Sequence, residues 1–154
     1  MTTTLTLRIA SVISLLFTAG HSLGGLQKWS PTQDNDVLKA MTDVHFQTMG
    51  VSRSYLDLYL GLGWTISVFM LLQTVLLWQM ASFARTHAAA LRGMIAAFVL
   101  ANLVIGIIAW RLILPVPALF SAVLVIALAA AYLTARRVPA GEPDRMETAV
   151  APVP

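Results

Sequence analysis

Four apolar runs, each close to the length of a helix that crosses a bilayer, set the terms for everything else in this chain. They cover roughly Leu7 to Leu26, Leu56 to Ala81, Leu91 to Leu114 and Val116 to Ala135. About 20 helical residues cross a hydrocarbon core of ~30 Å. Each run is apolar almost all round, as a span is and a surface helix is not. Strands are excluded by the backbone: a helix satisfies its own hydrogen bonds in lipid, and an open sheet does not. Composition agrees. Only 11% of the 154 residues are charged, against about 25% in a soluble domain, and the mean hydropathy is +0.77. The expected fold class is therefore all-α, an integral membrane four-helix bundle over residues 1–137. Residues 138–154 hold four of the seven prolines and no helical period, which reads as a disordered tail.

The loops differ in kind. Gln27 to Ser54 is the only long one. Within it Val37, Leu38, Met41, Val44, His45 and Met49 fall near one face at helical spacing. Asp34, Asn35 or Asp36 stands where a cap belongs. The spacing predicts an amphipathic helix over about 36–49, lying on the bilayer or over the bundle mouth. The second loop, around Ser82 to Ala90, is short and basic. The third is little more than Pro115. Arg8, then Thr18-Ala19-Gly20, has the outline of a leader peptide, but the apolar run continues through Leu26, which reads as a retained span.

With four crossings, one side carries Arg8, Arg85, Arg92, Arg136, Arg137 and Arg145, and the other Lys28, Lys39, Arg53 and Arg111. The positive-inside rule then puts both termini in the cytoplasm, with the chain multi-pass in a bacterial inner membrane. The net charge of +3 comes from residues that flank the runs, so it reads as topology and gives no nucleic-acid partner.

Much chemistry is excluded. No cysteine is present, which removes disulfides, thiolate catalysis and cysteine metal sites. There is no nucleotide-binding glycine motif, no H-E-x-x-H and no serine elbow. His21 and His45 are two potential haem ligands, but they lie on different elements without the four-histidine pattern of two-haem bundles. No cofactor and no metal is expected.

The remaining polar residues gather at one level, the expected outer end. His21 ends the first run. Arg53, Tyr55, Asp57, Tyr59 and Trp64 enter the second, Arg111 leaves the third beside Trp110, and His45 lies on the covering helix. Arg53 and Asp57 are spaced to pair if helix covers both. Asp57 suits the positive N-terminus of a helix. His21 and Asp57 are the candidate catalytic pair. Arg53, Tyr55, Tyr59, Trp64, His45 and Arg111 are the candidate ligand-binding set. Aromatic and basic residues also serve as plain interface anchors or packing groups, Trp29, Trp64, Trp78 and Trp110 among them. Asn102, deeper in the third run, suits a helix–helix hydrogen bond. His87 reads as solvated.

Two stretches carry a resemblance. Gly20-His21-Ser22-Leu23-Gly24 closes the first run. His45-Phe46, Gly50 and Arg53-Ser54-Tyr55-Leu56-Asp57-Leu58-Tyr59-Leu60-Gly61-Leu62-Gly63 lead into the second. Over its first half the chain resembles an uncharacterised family of small four-span bacterial membrane proteins, and more loosely DoxX-like proteins. The resemblance implies a fold and no activity.

Three functions fit these residues. The first is a non-enzymatic protein that binds a lipid, quinone or partner subunit in an outward pocket between spans one and two. The second is a small enzyme with His21 as general acid or base and Asp57 orienting it. The third is an oligomeric transporter, for which the spans hold few ionisable groups. A homo-oligomer or a partner membrane subunit is compatible with each. The last two spans read as plain apolar scaffold.

Overall fold

The computed structural model describes residues 2–25 and 35–135. The expectations placed on Lys28, Trp29, Asp34, Arg136, Arg137 and the 138–154 tail lie outside the described residues.

Helix α1 runs Thr2–Gly20 and continues into a π-helical turn, His21–Gly25. It starts before the expected Leu7 because its threonines find partners: Thr3 Oγ1 donates to Thr134 Oγ1 at 3.0 Å, and Thr6 bonds back to its own helix. Helix α2 is Asp36–Asp43, capped by Asn35, whose Oδ1 accepts from the Val37 and Leu38 amides. Strands β1 (His45–Thr48) and β2 (Val51–Ser54) form an antiparallel hairpin. Helix α3 is Tyr55–His87, α4 Arg92–Leu112 and α5 Pro115–Thr134, with Pro115 at the first helical position, where its missing N–H leaves no gap.

The covering segment differs from its expectation. Only its first part, to Asp43, is helical. Met49 and Gly50 both have positive φ, 50° and 78°, which is the two-residue loop that matches strand twist. Their turn folds the rest of the segment into the hairpin, although its apolar residues mimic a helical period. Met49 at the tip is 99% exposed. Helix α2 packs on α3 and β2, so the segment covers one end of the bundle, here termed the cap end.

Three continuous helical stretches are long and apolar enough to cross a membrane: Thr2–Gly24, Tyr55–Leu112 and Pro115–Thr134. The middle one, 58 residues long, is folded back at a 3₁₀ turn, Ala88–Leu91. Asn102 Nδ2 donates to Gln73 Oε1 at 3.1 Å. In a straight helix the 29 positions between them would separate the two by about 44 Å. The result is a helical bundle in which α1 packs along α3 and α5, and α5 along α4.

The packing faces recur mostly at steps of three or four residues, the spacing of a left-handed bundle. On α1 they are Thr3, Leu7, Ala10, Ser14 and Thr18; on α3 Gly63, Ser67, Thr74, Leu77, Ala81 and Ala84; on α5 Ser121, Leu124, Leu128 and Ala131. Most are small, which lets backbones approach where lipid supplies no hydrophobic drive between helices. The bundle divides lengthwise. Leu7, Leu77, Ile95 and Leu128 build an apolar core toward the base, the end where α1 starts and α5 finishes. Toward the cap the buried positions turn polar: Ser14, Thr18, Ser67, Thr74, Asn102 and Ser121.

The base is also tied. The Arg8 guanidinium lies 3.4 Å from the Trp78 ring centroid and donates to Ser82 Oγ. Arg92 donates to the Tyr132 and Ala135 carbonyls at the end of α5 and covers the Tyr132 ring. These contacts satisfy terminal carbonyls that a helix leaves open. His87 is exposed, as expected for it, and is stacked on Phe83 and bonded to Thr86.

Candidate functional site

The candidates from the sequence share the cap end, but the structure gives them separate partners. His21 opens the π-helical turn, and its Nδ1 lies 3.0 Å from Ser67 Oγ on α3. Ser22 Oγ donates to the same Ser67 oxygen at 3.0 Å. Asp57 is engaged elsewhere. Its carboxylate accepts the Ser54 amide at 2.9 Å while Ser54 Oγ accepts the Asp57 amide at 3.1 Å. This reciprocal pair is a capping box that starts α3. No hydrogen bond joins His21 to Asp57 among the described residues. Arg53 stands on β2 and donates to the Ser52 carbonyl. The helix needed for its pairing with Asp57 begins only at Tyr55, and no Arg53–Asp57 ion pair forms among the described residues. His45 Nδ1 meets the Asp43 carbonyl. The Tyr55 ring stacks obliquely on Phe46, at 5.2 Å. Tyr59 and Trp64 are exposed along α3, as interface anchors are.

Below His21 runs a polar seam that sequence reasoning missed. Ser14 Oγ accepts from Thr74 Oγ1 at 2.9 Å and from Gln73 Nε2 at 3.2 Å. Ser11 Oγ donates to the Thr74 carbonyl, and Thr18 Oγ1 to the Ser14 carbonyl. Asn102 closes the seam from α4 through Gln73 and through the Phe98 carbonyl. The expectation of an interhelical hydrogen bond from Asn102 is met. The signal for the rest was the run of hydroxyl residues at packing positions of α1, which a hydropathy count absorbs silently.

A second feature lies across the bundle. Between α4 and α5 a groove of about 640 Å³ is lined by Asn102, Gly106, Trp110, Arg111, Ala118 and Ala122 together with aliphatic side chains. Its walls are apolar. Asn102 sits near the middle of α4, and Trp110 and Arg111 stand toward its cap-end mouth. Gly106 permits the close approach of the two helices there: a Cβ on it would lie 3.1 Å from Ser121 Cβ. Ser121 Oγ is buried and has no hydrogen-bond partner. The hairpin expected to be plain scaffold thus carries a groove, open to the surface along its length, and of the expected ligand-binding residues Arg111 alone lines it.

The described residues contain no cluster of metal-ligating side chains. No family model, curated protein or solved structure matches this chain.

Proposed function

We propose that this chain is a non-catalytic multi-pass membrane protein that crosses the bilayer four times and holds a lipid-soluble ligand in the groove between α4 and α5. The observation that carries the reading is the groove itself, an apolar concavity with an arginine and a tryptophan at its mouth and a single amide at depth. Ligand sites have this character: apolar walls and a few placed polar groups. Four apolar helices in an up-and-down bundle support the crossings. The arginine count supports termini on the cytoplasmic face, which sets the cap end outward in a bacterial inner membrane. The α1–α3 seam is closed by its own hydrogen bonds, so it supports packing more than ligand capture.

The test is lipid mass spectrometry on protein purified in mild detergent. Wild type should retain one amphiphile in near-equal ratio, and Ala122→Phe, which fills the groove wall, should lose it with its melting temperature kept. Identical bound species in both proteins would sink the reading.

One observation favours an enzyme as the second reading. The His21–Ser67 contact at 3.0 Å has the reach of a base and a nucleophile. A fluorophosphonate probe in proteoliposomes decides it: labelling at Ser67 that His21→Gln abolishes supports catalysis, and an unlabelled protein removes it.

A further inference from the structure

The groove's deepest polar group is more specific than its walls. Asn102 is 3% exposed. Its amide nitrogen has two hydrogens, and both are used, at 2.9 Å to the Phe98 carbonyl and 3.1 Å to Gln73 Oε1. The Phe98 carbonyl can only accept, which fixes the orientation of the amide. Asn102 Oδ1 is left over and accepts no hydrogen bond from any described residue. Nor is it sealed inside the bundle, since the fully buried side-chain atoms without a partner reduce, among the described residues, to Ser121 Oγ. Asn102 is among the residues that line the groove, which makes the groove a route by which a donor can approach it. In hydrocarbon an unpaired carbonyl oxygen costs roughly what a lost hydrogen bond costs, and only a donor relieves it.

Arg111 bounds the other end. It stands nine positions beyond Asn102 on the same helix, a rise of about 13.5 Å. Its guanidinium is exposed, and among the described residues it has no carboxylate partner. An arginine at a membrane interface meets an anion, either a carboxylate or a phosphate.

We propose that the ligand of the groove is a single-chain amphiphile with an anionic headgroup at Arg111 and a hydroxyl partway along its chain that donates to Asn102 Oδ1. The inference rests on the groove reading above and adds the chemistry of the occupant. It disfavours the simplest candidates on chemical grounds. An oxidised quinone brings only acceptors to a group that lacks a donor. An ordinary acyl chain brings neither. A hydroxylated chain of fatty-acid length supplies the anion, the donor and about the right distance between them.

The experiment is a competition assay on full-length protein in phosphatidylcholine nanodiscs, with tritiated stearate as the probe. The competitors are stearate, 12-hydroxystearate, its 12-methoxy ether and 12-hydroxystearoyl lysophosphatidic acid. The free hydroxyl should improve competition about tenfold over both stearate and the ether, the usual scale of one added hydrogen bond. Equal competition by hydroxyl, ether and plain chain overturns the proposal and leaves groove binding intact. If tritiated stearate fails to bind, or binds Ala122→Phe as well as wild type, the groove reading itself fails. Asn102→Leu should erase the hydroxyl preference, and should that variant misfold, the hydroxyl–ether comparison on wild type stands alone. Arg111→Gln should weaken the carboxylate and phosphate compounds together while leaving the preference unchanged. The stronger of those two in wild type distinguishes a free acid from a phospholipid source. Unaltered affinity in Arg111→Gln overturns the headgroup assignment.

Discussion

The α1–α3 seam and the α4–α5 seam are both built on small residues, yet they dispose of their polar groups in opposite ways. Between α1 and α3, Ser11, Ser14, Thr18, Gln73 and Thr74 find partners in each other and in backbone carbonyls. Between α4 and α5, Ser121 Oγ has no partner, and Asn102, one of the residues that line the groove there, keeps an Oδ1 that accepts from no described residue. In lipid, where water cannot make up the difference, partnered polar atoms mark a packing surface. Unpartnered ones mark a place where something else is expected to arrive.

That contrast can be broken experimentally. The largest effect is expected from Ser14→Leu, which puts a bulky side chain where 1% of the residue is exposed and removes the acceptor that Gln73 Nε2 and Thr74 Oγ1 share. It should destabilise the bundle by about 3 kcal/mol, overpacking and lost hydrogen bonds together. Reversible unfolding in bicelles would measure it, and a loss below the resolution of that assay would show the α1–α3 seam to be slack. Next comes Gly106→Ala, whose added methyl meets Ser121 Cβ at 3.1 Å. A loss of about 1–2 kcal/mol is expected, and Ser121→Gly in the same molecule should restore most of it, since the two sites share one contact. If the double variant is no better than the single, the helices yield there and the approach is not tight. Smallest is Asp57→Ala, which removes half of the capping box at the cost of about 1 kcal/mol. Faster amide exchange in the first turn of α3, with bound lipid unchanged, is the expected signature. A loss of bound lipid in that variant would give Asp57 a part in ligand binding beyond its cap.

The four helices were legible because each run carries its own hydropathy signal, which needs no knowledge of neighbours. The capping box at Ser54 and Asp57 was half legible, since Asp57 was read as suited to a helix start while Ser54 went unnoticed. The hairpin was not. Val44, His45 and Met49 satisfy a helical period as well as an extended one, and the Met49-Gly50 turn overrides it through two positive φ angles. The partner of His21 was beyond reach for another reason: Ser67 lies 46 positions along the chain, and only the register of α1 on α3 brings them together. Asp57 was the acid expected beside it, and its own helix terminus had already claimed it. The groove could not be read at all, because it is a property of the space between α4 and α5 and both helices look uniformly apolar one at a time.

The ties at the base have a mechanical side. Thr3 to Thr134, Arg8 to Trp78 and Ser82, and Arg92 to the last carbonyls of α5 pin all four long helices at the end remote from the groove mouth. Beside Arg111 the two-residue link between Leu112 and Pro115 joins α4 to α5 as well. The groove therefore lies between two helices fastened at both ends, and their spacing midway is set by the Gly106–Ser121 contact.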